Sequence, residues 1–433
     1  MARGRSRRAL GSVAAGFVLA GTLAACGGGD SGGPPTLNWY INPDAGGQAE
    51  IAARCSEASN GAYTLSTSIL PRTAAGQREQ LVRRLAANDT SIDIMSLDPP
   101  QIPEFASAGF LAPVPEDVAE RVTEGVVRSA VEQSTWEDEL VAVPFWANTQ
   151  LLWYRKSVAE AAGLDMTQPV TWDQLIEAAQ EQDVLIGAQG ARAESLTVWI
   201  NALIESAGGS IIEENSEDPE QIQLGLDSEA GQRAAEIMNA VATSGQVSPA
   251  FSTENEDAGA TGFEGEDAGF LVNWPFIWSR ALAAVEAGTM DPSVPEDYGW
   301  ALYPRVEADE PSAPPLGGIS LAISDLTDDP ALAYEAAECI VSEENQAYYM
   351  TTNGNPAALA SVYDDPEVLE LYPQAPVILE SLDLAAPRPQ TPYYNEITVG
   401  LQRAYHPPAS VSADTGQAAE ELISAVLAKE QLL

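Results

Sequence analysis

Histidine is nearly absent from this chain of 433 residues. There is one, His406, in the loop-like run Tyr405-His406-Pro407-Pro408. A Ser–His–Asp triad, a Cys–His pair or a multi-histidine metal site would have to be built on it alone, and its proline-rich setting reads as structural. Lysine is almost as scarce, with only Lys156 and Lys429. The body of the chain carries no G-x-x-x-x-G-K-[ST] loop, no G-x-G-x-x-G fingerprint and no G-x-S-x-G elbow. Nucleotide-based and lysine-based chemistry therefore have no motif to stand on. Basic residues number 20 against 64 acidic ones, a net charge of −44. So negative a body repels phosphate backbones and anionic headgroups, which excludes nucleic acid and polybasic membrane attachment. Charged residues are only 19% and hydrophobic ones 45%. That composition describes a folded chain with a sizeable core, long enough for two domains.

The first residues are of a different kind. Arg3, Arg5, Arg7 and Arg8 precede an apolar stretch from Ala9 to Leu23, which closes on Leu23-Ala24-Ala25-Cys26. A basic start, a short apolar run and this quartet resemble a bacterial lipoprotein signal, with Cys26 acylated. Residues 1–25 are read as the signal peptide. Residues 26–36, rich in glycine and proline, are read as a flexible lipid-anchored tether. Two cysteines remain, Cys55 and Cys339. Outside the cytoplasm they are most simply a disulfide, the alternative being two separate buried thiols.

Strand-like and helix-like segments alternate through the body, which predicts α/β architecture. Ile92, Ile94 and Leu97 form a strand ending on Asp98, before Pro99-Pro100. Ligands of open α/β sheets collect at the carboxyl ends of strands, so Asp98 is a ligand contact or a turn residue. Asn148 and Gln150 interrupt the apolar run Trp136–Trp153; a buried amide there needs partners, from backbone or from a sugar hydroxyl. Thr171-Trp172-Asp173-Gln174 has capping-box spacing and predicts a helix start. Phe270–Trp274 reads as a buried strand that turns into a helix at Pro275, which points Trp274 toward a crevice or into the core. An acidic run, Glu254-Asn255-Glu256-Asp257, lies upstream. Leu316–Ile323 is a strand with Gly317 and Gly318 at its start, where a backbone can approach a ligand or another strand. Pro387–Tyr394 is a stiff loop holding Arg388 and two tyrosines.

In this order, the lipobox, the Asp98 strand, Thr-Trp-Asp-Gln-Leu, Val-Asn-Trp-Pro-Phe, Gly-Gly-Ile-Ser-Leu-Ala-Ile and the Pro-Arg-Pro loop resemble extracellular solute-binding proteins of carbohydrate ABC importers. Asn148–Arg155 and Leu70-Pro71-Arg72 are similar to the trehalose-binding lipoproteins of mycobacterial importers. The resemblance implies a two-lobe fold of the periplasmic-binding-protein type II, maltose-binding-protein-like, with a ligand cleft between the lobes and three crossovers. These are expected near Pro144, Tyr303 and Asn345, giving lobe one as residues 37–143 and 304–345, and lobe two as 146–301 and 348–433. Cys55 and Cys339 then share a lobe. The resemblance also implies a monomeric, cofactor-free and metal-free protein at the outer face of the cell membrane. It would capture an α-linked disaccharide, trehalose first, and deliver it to an ABC permease. Asp98, Asn148, Glu256, Trp274 and Arg388 match sugar-contacting positions and Gly318 a backbone contact, with Asn42 and Arg72 as further candidates. Another α-glucoside, such as maltose or sucrose, is the alternative ligand. Two carboxylates such as Asp98 and Glu256 are also what a glycoside hydrolase would use.

Overall fold

The computed structural model describes residues 33–432. The expected signal peptide, the acylated Cys26 and residues 26–32 of the tether lie outside the described residues. Two sheets organise the rest. The first has strand order β2-β1-β3-β13-β6, formed by β1 (Thr36–Ile41), β2 (Thr64–Ile69), β3 (Ile94–Leu97), β6 (Val143–Thr149) and β13 (Leu316–Ile323). The second has order β12-β7-β11-β8, formed by β7 (Leu151–Arg155), β8 (Leu185–Gly187), β11 (Ala268–Asn273) and β12 (Tyr298–Ala301). Two small ribbons complete the strands: β4 (Thr135–Trp136) with β5 (Glu139–Leu140), and β9 (Ile212–Glu214) with β10 (Gln223–Leu224).

Each sheet is covered on both faces, and the two-residue period of a strand decides which side chain goes where. In β1, Leu37, Trp39 and Ile41 enter one core while Tyr40 enters the core on the opposite face. In β7, Leu152 joins the core built on the helix Glu194–Ser206, whereas Leu151 and Trp153 join the other. These strands are apolar on successive residues because neither face meets water. Asn345 lies against Cys55 and donates to the Cys339 carbonyl oxygen at 2.8 Å. Cys55 of the helix Gly47–Ala58 and Cys339 of the helix Pro330–Ile340 are joined by a disulfide, and both helices flank the first sheet.

The passages between the sheets fall elsewhere than expected. Pro144 does not end a strand. It lies within β6, opposite Ser320, next to a register shift in the β6–β13 ladder. An edge strand with a bulge tolerates the missing N–H, so β6 continues to Thr149. The chain leaves the first sheet at Gln150, the single residue before β7. Tyr303 and Val306 are buried in the second lobe's core, and Arg305 bridges to Thr171 there. The second passage therefore comes after Val306. Beyond the helix Glu343–Asn353, Ala357 bridges to Trp146 and Leu359 to Val126, so this stretch packs under the first sheet's edge. The helices Tyr394–Ala404 and Thr415–Leu427 return to the second lobe.

Candidate ligand-binding site

Asp98 follows the carboxyl end of β3. It stands ahead of the short turn Pro99–Gln101, but its side chain caps nothing, and the carboxylate reaches across to Arg388. The guanidinium Nη2 donates to Oδ1 at 2.5 Å and Nη1 to Oδ2 at 3.2 Å. Arg388 is 6% exposed and flanked by Pro387 and Pro389. Asn201 donates to the Pro387 carbonyl oxygen at 3.1 Å and Gln390 to that of Arg388 at 2.9 Å, which fixes the loop. Nη1 also donates to Oε1 of Glu194 at 2.7 Å. Glu194 opens the helix Glu194–Ser206 and accepts from the Tyr394 hydroxyl and, at 2.8 Å, from Thr398. Burial alone would depress the Arg388 pKa; the carboxylates of Asp98 and Glu194 beside it push it well above that of a free arginine. The cation is permanent, and it is shared between an acid of the first lobe and an acid of the second.

Glu256 and Trp274 form the adjoining part. Glu256 opens the helix Glu256–Phe263, whose start is capped by Asn255, the side-chain Oδ1 accepting from the Ala258 amide at 3.0 Å. Desolvation pushes the Glu256 carboxyl pKa up, and the nearby charges of Asp257 and Glu194 add to this, while a hydrogen bond from the Trp274 side chain works the other way. Asn273, fully buried at the end of β11, holds both residues in place. Its Nδ2 donates to the Glu256 carbonyl oxygen at 2.9 Å and its Oδ1 accepts from the Trp274 amide at 2.8 Å. Trp274 is half-buried, and Pro275 stands as cap of the helix Phe276–Glu286 rather than inside it. The indole edge lies over β13: a Cβ added to Gly317 would meet Trp274 Cη2 at 3.0 Å. Asn148 is the register partner of Gly317 and accepts from the Thr149 amide through its own Oδ1 at 3.1 Å.

Asp98, Arg388, Glu256, Trp274 and Asn148 are thus linked, directly or through Glu194 and Gly317, into one cluster spanning both lobes. The remaining candidates are placed differently. Gly318 has φ +124°, and a Cβ there would stand 2.2 Å from the Trp146 carbonyl oxygen. Its glycine serves the approach of β6; Gly317 is the one that faces Trp274. Asn42 follows β1 and donates to Gln77 at 2.9 Å, leaving its buried Oδ1 without a partner among the described residues. Arg72 is exposed in the loop before the helix Ala74–Ala86 and makes no hydrogen bond or ion pair among the described residues. Sequence reasoning missed Glu194 and Asn273, and noted Tyr394 only as part of the Arg388 loop, with no role of its own. Asn273 had a signal, being the polar residue that closes an apolar strand before Trp274.

The cluster offers carboxylates, a guanidinium, amides and one aromatic face, the set that pairs with adjacent hydroxyls and covers C–H patches. Amide oxygens around it are buried and unpartnered within the protein: Gln133 Oε1, Gln150 Oε1 and Asn201 Oδ1. Among the described residues, no group of three or more His, Cys, Asp or Glu side chains is arranged to hold a metal.

Known proteins share this scaffold. The maltose-bound MalE3 of T. maritima superposes with a TM-score of 0.78 at 22% identity, covering 92% of this chain and 100% of that one. The GacH receptor of Streptomyces glaucescens, known unliganded and with acarbose, superposes with a TM-score of 0.75 at 18% identity and covers 92% and 100%. The fold is the two-lobe, maltose-binding-protein-like type. In sequence, a probable ABC transporter-binding protein of Deinococcus radiodurans is 21% identical over 375 residues, 82% of this chain and 83% of that protein. These relatives are binding proteins, not enzymes. The family model of bacterial extracellular solute-binding proteins matches residues 72–347, a span from just before the helix Ala74–Ala86 into the helix Glu343–Asn353, taking in Asp98, Glu194, Glu256 and Trp274; the chain belongs to that family.

Proposed function

We propose that this protein captures an α-linked disaccharide, trehalose first, between its two lobes and delivers it to an ABC permease. It would act at the outer face of the cell membrane, held there by lipid on Cys26. The observation that carries the reading is the buried pairing of Asp98 with Arg388, between the lobes and beside Glu194, Glu256 and Trp274. Capture works by closure: lobes that meet around a sugar exclude water and strengthen every hydrogen bond to it. Asp98 and Glu256 accept from hydroxyls, Asn148 donates and accepts, Trp274 stacks on a pyranose face and Arg388 donates. Asn42, Arg72 and the Gly318 backbone, the further first-lobe candidates, stand outside this cluster. The maltose and acarbose held by the proteins of similar fold support a glycoside ligand. Resemblance to trehalose-binding lipoproteins over Asn148–Arg155 supports trehalose over maltose or sucrose. Titration calorimetry of the purified protein against trehalose, maltose and sucrose tests this. Saturable trehalose binding, with the others weaker, is the expected result. A preference for maltose or sucrose moves the ligand to another α-glucoside, and silence across all three removes the reading.

A further inference from the structure

The charges in the cluster around Arg388 do not balance. Arg388 is the one cation in it, and both of its terminal nitrogens already donate: Nη2 to Asp98, Nη1 to Asp98 and to Glu194. The Glu194 carboxylate is satisfied too, by Arg388, Tyr394 and Thr398. Glu256 is not. Among the described residues no basic side chain stands within ion-pair distance of its carboxylate; its contacts are the Trp274 side chain and its own amide. Glu254, two positions earlier, is only 9% exposed and its carboxylate likewise has no cation among the described residues. The segment carrying both acids is held close to Glu194. The Glu254 carbonyl oxygen accepts from the amide of Ala191, three residues ahead of Glu194, at 2.9 Å. On its other side, His406 donates from Nε2 to the Ser252 carbonyl oxygen at 2.9 Å.

A carboxylate withdrawn from water needs a proton, a metal ion or a cationic partner. No group of side chains among the described residues is arranged to hold a metal. A proton on Glu256 would remove the acceptor. A ligand can supply the remaining choice. A sugar hydroxyl brings one donor and two acceptors, whereas an ammonium brings three donors and no acceptor, which suits a site whose surplus is in acceptors. The half-buried Trp274 beside Glu256 adds an aromatic face, to which a cation is attracted. We infer that the cleft prefers a glycoside carrying an amino group, with the ammonium on Glu256 beside Trp274. This deepens the sugar-capture reading above and rests on it: amino-sugar disaccharides are preferred over neutral ones of the same size.

Titration calorimetry at neutral pH compares trehalose, maltose and sucrose, each with its amino-deoxy forms at carbon two and carbon six and with their N-acetyl derivatives, which remove the charge. At least one amino form should bind about tenfold more tightly than its parent sugar, the gain of a charge-assisted hydrogen bond over a neutral one. Acetylation should remove that gain. Glu256→Gln should cancel it, by weakening the amino form more than the parent sugar. Amino forms that bind no better than their parents, or an advantage that survives acetylation or persists in Glu256→Gln, would overturn the inference while the disaccharide reading stands. If no sugar binds, charged or neutral, both fall together.

Discussion

Arg388 meets Asp98 across the cleft as a two-pronged pair, with Nη2 on Oδ1 at 2.5 Å and Nη1 on Oδ2 at 3.2 Å. Nη1 is shared with Glu194 on the arginine's own lobe. One side chain therefore reports the distance between the lobes and the charge inside the site together. Removing it leaves two carboxylates facing each other without a cation. Arg388→Ala should lower stability by about 3–5 kcal/mol, the usual cost of breaking a buried pair from one side. Arg388→Lys keeps the charge but not the fork, and should weaken sugar binding roughly tenfold or more. Chemical denaturation and calorimetry measure the two effects. An unchanged denaturation midpoint for Arg388→Ala would deny the pair any structural weight.

Trp274 owes its position to a glycine. A methyl at Gly317 would stand 3.0 Å from Cη2 and 3.2 Å from Cζ3 of the indole, tighter than ordinary contact, so the ring must shift. Gly317→Ala should cost about 1 kcal/mol of stability through overpacking and weaken binding by displacing the ring. Trp274→Ala should lose most binding, about tenfold or beyond, with the fold intact. Tryptophan fluorescence of Gly317→Ala follows the displacement. A spectrum and an affinity both equal to the parent's would show that β13 does not position the ring.

Glu256 carries a pH signature. Its pKa is raised, chiefly by desolvation, with Asp257 and Glu194 adding to the effect. As an acceptor of sugar hydroxyls it works in the ionised form. Affinity should therefore fall on acidification while ordinary carboxylates are still charged, and recover as pH rises through the raised value. Glu256→Gln should bind more weakly at neutral pH and lose this dependence. A parent affinity that is flat over the same range would assign the acceptor role elsewhere.

Much of this could be seen in the residues beforehand, and what could not has physical causes. A carboxylate at a strand end before two prolines, and an aromatic where a buried strand turns into a helix, are local patterns; Asp98 and Trp274 stand in them. Glu194 has no such pattern. It is the first residue of an apolar helix, and only the return of the chain some two hundred positions later brings Arg388, Tyr394 and Thr398 against it. The first passage between lobes was misplaced for a related reason. β6 and β7 are separated by one residue, so the run 143–155 has no turn signal, and Pro144 offered the only visible break. Gly317 and Gly318 were legible as a pair, but which one meets a neighbouring strand and which meets a ring depends on register.

Glu205 gives a separate test of stability. It lies in the last turn of the helix Glu194–Ser206 without a basic partner, and burial pushes its pKa from 4.5 to about 7. An acid raised in this way costs nothing while folded and unfolded chains are both protonated. The cost grows as pH rises above the unfolded value and is complete above the folded one. Glu205→Gln should match the parent below pH 4.5 and exceed it above about pH 7, by up to about 3 kcal/mol. Thermal unfolding across that window decides; parallel curves for parent and variant would place Glu205 in water.

The disulfide closes 284 positions of sequence, from Cys55 to Cys339, and all four strands of the second sheet lie within that span. The second lobe's sheet is strung on a covalent ring whose clasp belongs to the first. A protease that nicks the exposed run Glu307–Pro311 therefore frees no fragment: both pieces stay on one molecule, in one gel band, until a reductant opens the clasp. A receptor working outside the cell can suffer such a cut and keep both halves of its cleft.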